Sequence, residues 1–315
     1  MRKWLGVAIA TFLAVSGLAV PTEASVDNQP FVSVYHEGLR FPESVYPYDG
    51  GLLISNFGSD TMNPRPDENK GYILYRKDGT TKTIVPADGG LHKPTAMAVK
   101  DGYLFVCDDT RLVVYRLDEL TANPQEILFP PEDKVVNALA LDGDTLYVSV
   151  TNTSRIYSLD VRHPEDMSGI RPQKWLDIEG PNGMAIGNGI MYVATIPTDY
   201  RSVQDENVVY FVRDFANPKA AKFVGEPGLY DGAALSDDGR TLFVSDWKTA
   251  SVMAVDLQSG KTTVVYEEQG TGLADIAQAG GVLYIPDLPN SRLIEIWVGD
   301  GTLFQGKMMS HKSQY

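Results

Sequence analysis

Asn182-Gly183-Met184-Ala185-Ile186-Gly187-Asn188-Gly189-Ile190-Met191-Tyr192-Val193-Ala194 decides the fold. It reads as a short apolar strand, an Asn-Gly turn and an aliphatic-aromatic-aliphatic strand; Asn-Gly accepts the φ > 0 geometry of a tight hairpin. The phrase recurs at Glu43–Ser55, Thr95–Cys107, Asn137–Ser149, Asp231–Ser245 and Ala274–Pro286. In five copies the first residue stands nine before the residue that opens the second strand; in the copy from Asp231 the gap is eleven, because Asp237-Asp238-Gly239-Arg240 lengthens the turn. Successive copies start 52, 42, 45, 49 and 43 residues apart, a period that marks a repeat architecture.

Each copy is followed by a third strand (Tyr72–Arg76, Leu112–Leu117, Arg155–Leu159, Val208–Val212, Ser251–Leu257, Arg292–Val298) and in most cases by a weaker fourth, such as Lys174–Ile178 or Lys261–Tyr266. Four antiparallel strands repeated six times predict an all-β chain, a six-bladed β-propeller. Two separate sandwiches would not keep one spacing throughout, and no stretch has the 3.6-residue periodicity a parallel α/β fold needs. Phe31–Tyr35 precedes the first inner strand and is expected to close the ring as the outer edge of blade six.

Composition agrees and excludes other classes. Of 315 residues 43% are hydrophobic, enough for a packed core, and the net charge is −14 with no Lys/Arg-rich run, which argues against nucleic acid as partner. The single cysteine excludes a disulfide framework and any CxxC motif; Cys107, inside the apolar run from Leu104, is expected in the core. Residues 1–24 read as a secretory signal peptide: Arg2 and Lys3, an apolar run from Leu5 to Val20, then Thr22-Glu23-Ala24 with cleavage after Ala24. Cleavage after Ala19 is the alternative. No later stretch is long and apolar enough for a membrane span. The expected organisation is therefore a signal peptide (1–24), one propeller domain (25–305) and a polar tail (306–315), exported to a periplasmic or extracellular location.

The first residue of each inner strand faces the channel mouth of such a fold, so Glu43, Thr95, Asn137, Asn182, Asp231 and Ala274 converge on one axis. Two carboxylates and two carboxamides among them offer oxygen-only ligation, suited to a hard divalent cation, with coordination positions left for water and substrate. Asn and Asp at strand starts are also ordinary turn residues; the register match across blades favours the metal reading for Glu43, Asn137, Asn182 and Asp231. Thr95 and Ala274 carry no such case.

Over about 41–298 the chain resembles the gluconolactonase/regucalcin (senescence marker protein) family of six-bladed propellers, through Pro42-Glu43, Asn137, Pro181-Asn182-Gly183 and Tyr230-Asp231-Gly232. The resemblance implies a divalent metal, most readily Ca²⁺ with Mg²⁺, Mn²⁺ or Zn²⁺ as alternatives, held by these four residues. It also implies Asp231 as general base in the hydrolysis of a lactone or related ester. The chain departs from the family pattern at Ser44-Val45, at Tyr230 and at Val135, where the sugar-lactonase branch has a substrate-contacting Arg. The competing reading is a non-catalytic ligand- or protein-binding propeller with a structural ion. GxxxxGK[ST], HExxH and GxSxG are absent, so phosphate-loop, zincin and serine-elbow chemistries have no support.

Around the expected mouth, Asp108, Asp246 and Asp287 end second strands and read as turn caps. His92 alone of the four histidines is placed to overhang the mouth as a proton shuttle; a loop histidine without function is the simpler reading. The long connections Asn56–Gly71 and Thr195–Asn207, with Met62, Arg65, Lys70, Tyr200 and Arg201, are expected on the same face as a candidate lid.

Overall fold

Three of the inner hairpins close through two-residue turns that the sequence encodes directly. Asp49-Gly50, Asp101-Gly102 and Asn188-Gly189 all have φ between +46° and +82° at both residues, the pair of left-handed conformations that lets a two-residue turn follow the strand twist. A computed structural model describes residues 31–63, 68–120 and 122–299. Arg65, residues 1–24, which were expected to form a signal peptide, and residues 306–315, expected as a tail, lie outside the described residues.

Six four-stranded antiparallel sheets form a six-bladed β-propeller. Blade one runs Pro42–Tyr48, Gly51–Asn56, Tyr72–Lys77 and Thr80–Val85 from the axis outward, and the next four blades repeat that order. Their inner strands are Pro94–Lys100, Val136–Asp142, Pro181–Gly187 and Tyr230–Leu235. Blade six has a short inner strand, Ala277–Ala279, followed by Val282–Asp287 and Arg292–Trp297. Its outer strand is Val32–Tyr35, paired in register with Arg292–Trp297 from Val32 opposite Ile296 to Tyr35 opposite Leu293. The ring is thus closed by the N-terminal strand. Inner strands contact those of the neighbouring blades all the way round, blade six against blade one included. Among the described residues the helical content is one 3₁₀ turn, Thr151–Thr153.

The core lies between blades. Second strands are covered on both faces and read as apolar runs: Leu104, Phe105, Val106 and Cys107 are at most 1% exposed, as are Leu146, Val148 and Val150. β-branched and aromatic side chains suit this doubly packed pleat. Cys107 is fully buried in the largest apolar cluster, and burial raises its thiol pKa well above the ordinary value, which keeps it inert.

Candidate functional site

Each inner strand of blades one to five begins with the same irregularity. Pairing with the second strand slips between Pro42 and Ser44, Pro94 and Met97, Val136 and Leu139, Pro181 and Met184, and Tyr230 and Ala233. The extra residue bulges out of the ladder, which re-aims its side chain. The bulged residues include Glu43, Thr95, Asn137, Asn182 and Asp231. Glu43, Asn137, Asn182 and Asp231 line one cavity of about 570 Å³, with Ala274 at the sixth position. Thr95 is diverted: its hydroxyl donates to the Asn137 carbonyl at 2.7 Å, tying blade two to blade three.

The bulge leaves a backbone N–H off the ladder, and a serine on the second strand accepts it. Ser55 takes the N–H of Ser44, Ser149 that of Ala138 and Ser245 that of Gly232, at 2.8–3.0 Å. Ser245 also donates to the Ala274 carbonyl of the next blade at 2.9 Å. In blades four and five the residue that follows the ring position has no room for a side chain. A Cβ on Gly183 would lie 2.5 Å from the Asp231 carbonyl oxygen, and one on Gly232 would lie 2.5 Å from the Ile276 nitrogen. Neither glycine has positive φ. Asn182-Gly183 and Asp231-Gly232 are therefore close-approach points between blades, and not turns.

The orientation of the Asn137 amide follows from its neighbour. The Thr151 hydroxyl donates to the Pro181 carbonyl at 2.8 Å, so towards Asn137 it can only accept, and the atom 3.2 Å away is Nδ2. The amide oxygen is left for the cavity.

Charge in the cavity is unbalanced. Among the described residues, the buried carboxylate oxygens without a hydrogen-bond partner are Glu43 Oε2 and Asp231 Oδ1. Burial drives the Glu43 carboxyl well above the usual range, and the nearby charges of Asp231 and Asp275 push it further, with Lys93 opposing. Burial, then the charge of Asp275, pushes Asp231 up to about 7, again against Lys93. Asp275 is itself raised to about 7 by burial, although Ser44 donates to its Oδ2 at 2.8 Å. No three His, Cys, Asp or Glu side chains among the described residues form a ready metal cage. The oxygen set at the mouth is mixed, two carboxylates with two amides.

The rim comes from both long connections. Met62 and Asn63 from one and Asp199, Tyr200 and Arg201 from the other line the cavity. Lys70 turns instead to Asp60 and Glu68, 2.8 and 3.0 Å away. Three acidic strand ends act as caps. Asp108 accepts the N–H groups of His92 and Lys93, Asp246 those of Leu229 and Lys248, and Asp287 that of Gly272. His92 is not among the lining residues; its neighbour Lys93 is, with its ammonium 5.4 Å from the Phe57 ring.

Sequence reasoning missed Lys93, Asp275 and the aromatic wall of Phe57 and Trp247. Asp275 had a signal. The residue after the ring position is Ser44, Ala96, Ala138, Gly183 and Gly232 in five blades, and an aspartate in the sixth.

No family model matches the chain, and no curated protein matches it. Solved structures do resemble it. A gluconolactonase from Xanthomonas campestris superposes with a TM-score of 0.63 at 17% identity, over 86% of this chain and 90% of that one. The nidogen/laminin complex gives 0.59 at 15% identity, over 74% and 88% of the respective chains. Streptogramin B lyase gives 0.55 at 11% identity, over 85% and 97%. At these identities the likeness is one of fold: the chain is a six-bladed β-propeller whose structural neighbours include a gluconolactonase.

Proposed function

We propose that the protein is a divalent-metal-dependent hydrolase of a lactone or related ester, with Glu43, Asn137, Asn182 and Asp231 as the metal-holding set. The observation that carries this reading is the pair of sealed, unpartnered carboxylate oxygens, Glu43 Oε2 and Asp231 Oδ1, on a cavity that two amides also line. Buried anions of this kind call for a counter-charge. Oxygen donors of this mix fit a hard cation, Ca²⁺ foremost, with Mg²⁺, Mn²⁺ or Zn²⁺ as alternatives. When bound, such an ion supplies Lewis-acid polarisation of a carbonyl.

The chain's own residues supply the rest. Asp231 takes the proton as water adds to the carbonyl carbon and returns it to the alkoxide when the ester C–O bond breaks, giving a hydroxy acid. Glu43 and the two asparagines hold position, fixed by the bulges and by Thr151. Lys93 and Arg201 place positive charge at the rim, where a carboxylate product leaves. The 195–207 and 56–71 connections shape the entrance.

A lactone and ester panel followed by pH-stat, with and without chelator, tests the activity. Asp231→Asn keeps volume and one oxygen but removes the base, so turnover at saturating metal should fall roughly 10²–10⁴-fold. Glu43→Gln should be largely rescued by added metal. Near wild-type turnover of Asp231→Asn under those conditions refutes the assigned base. We further infer export to the periplasm or medium; intact mass of the exported protein starting after Ala24 supports this, and retention of 1–24 refutes it.

A further inference from the structure

A second ring surrounds the first. The residue that follows each second strand is Phe57, Asp109, Thr151, Ile196, Trp247 and Leu288 in blades one to six. The apolar members occupy adjacent blades, four through six and then one, and all four line the cavity. Phe57 and Leu288 pack as one cluster with Ala274 and Phe41, and Trp247 packs against it. The indole is held in place: a Cβ on Gly272 would come within 2.5 Å of it, so the glycine makes room for the ring. Ala274, the ring position without an oxygen, lies under this arc. Lys93, Asn137, Asn182 and Arg201 occupy the facing blades two to four. The cavity thus has a polar wall at blades two to four and an apolar arc from blade four through six to one, and the two carboxylates, Glu43 and Asp231, belong to the same blades as Phe57 and Trp247.

Resting on the hydrolase reading above, we propose that the substrate is a lactone or ester bearing an alkyl or aryl group, seated against Phe57, Ile196, Trp247 and Leu288, in preference to a polyhydroxylated sugar lactone. The four side chains offer no polar side-chain group except the indole N–H. A hydroxyl turned towards them without a partner loses about tenfold in affinity or more. A methylene there gains about three- to fourfold. The cavity of about 570 Å³ leaves room for such a group beside the reacting ring.

The test is a series of δ-lactones carrying methyl to hexyl side chains, with gluconolactone beside them, assayed with metal. In parallel, the matching lactams, which resist hydrolysis, are titrated calorimetrically. The proposal expects kcat/KM and lactam affinity both to rise about three- to fourfold per methylene over the first several carbons. Trp247→Ala should reduce that increment to less than about twofold, while Trp247→Phe retains most of it; melting curves establish that both variants are folded. An increment near one, or gluconolactone as the better substrate, overturns the proposal and leaves the hydrolase reading standing. If no lactone is turned over, the hydrolase reading fails. The lactam titrations then decide the wall by themselves: chain-length-dependent binding supports it and chain-length-independent or absent binding overturns it.

Discussion

Replacing Asp231 with Asn should make the metal-free protein more stable at pH 8 while weakening its hold on a cation. Burial and the charge of Asp275 push the Asp231 carboxyl up to about 7, against roughly 3.9 in an unfolded chain. For a group raised in the folded state, stability is fully present below the unfolded value and is lost as pH rises through the folded one. Chelated protein should therefore lose stability between about pH 4 and pH 8, with Asp231 responsible for up to about 4 kcal/mol. Asparagine removes that ionisation but still has to bury an amide, which returns about 1–2 kcal/mol. The net gain at pH 8 is about 2–3 kcal/mol, or about 3–6 °C in Tm for a chain of this size. Below pH 4 the gain should be gone and the amide's cost of about 1–2 kcal/mol should remain, leaving the variant slightly less stable than wild type. The assay is thermal unfolding of wild type and Asp231→Asn in chelator at pH 4.5 and 8, repeated with saturating Ca²⁺, where wild type should recover the advantage. A variant destabilised equally at both pH values in chelator would show that Asp231 is accommodated by the fold without strain, and the argument for a missing counter-charge would fall with it.

Three further outcomes follow from the same geometry. Equilibrium dialysis of chelated protein should find one divalent cation taken up per chain, and no uptake by the Glu43→Gln/Asp231→Asn double variant; a wild type that takes up none refutes the metal site. Gly232→Ala places a methyl 2.5 Å from the Ile276 nitrogen and 2.8 Å from the Asp275 Cα, backbone atoms that cannot rotate away. It should cost about 1–3 kcal/mol or more and weaken cation binding, whereas Gly79→Ala, whose Cβ meets nothing within 4 Å, should cost only its positive-φ strain and leave binding intact. Ser245→Ala strands the Gly232 N–H and one acceptor on Ala274, for about 1–3 kcal/mol by chemical denaturation; a loss under 0.5 kcal/mol would mean the bulge is held by other contacts.

The repeat was legible because its signals are local. Asp-Gly and Asn-Gly turns and aliphatic-aromatic runs recur at nearly fixed spacing, and the third-strand boundaries read from them fall within one residue of those observed, as with Tyr72–Arg76 against Tyr72–Lys77, whereas the inner strand of blade six, expected from Ala274, begins at Ala277. The four oxygen-bearing ring residues were legible for the same reason: Glu43, Asn137 and Asn182 stand nine residues before a second strand, and Asp231 eleven, across a visibly lengthened turn. Asp275 was not, because it stands one place past the counted position and does not line the cavity. Only the loss of the small residue expected there betrays it. Lys93 carries no sequence signal of its own beside His92; the His92 N–H and the Lys93 N–H are both pinned by Asp108, and the turn delivers the lysine to the cavity. The apolar arc stayed hidden because each member alone, Phe57 after Asn56 or Leu288 after Asp287, looks like a core residue ending a strand.

What such a chain must solve is how to keep three carboxyls close together at an axis where burial opposes their ionisation. No single blade can do this, since a four-stranded sheet with a buried acid at its edge would bend or hydrate. The closed ring changes the balance. Four of the six junctions between blades are tied sideways at the ring, by Thr95 to the Asn137 carbonyl, by Thr151 to the Pro181 carbonyl, by Ser245 to the Ala274 carbonyl and by the Asp275 N–H to the Glu43 carbonyl. Moving one acid outward therefore means breaking contacts on two blades at once. The pairing of Val32–Tyr35 with Arg292–Trp297 stops the ring from opening to relieve the repulsion. Local strain at a functional site persists only where the surroundings over-determine it, and here the over-determination is circular. It follows that deleting the closing strand, residues 31–35, should raise cation dissociation as well as lower stability, although none of its residues lines the cavity. A truncated protein that melts earlier yet binds the cation with unchanged affinity, measured below its own melting transition, would show that the inner strands alone hold the site.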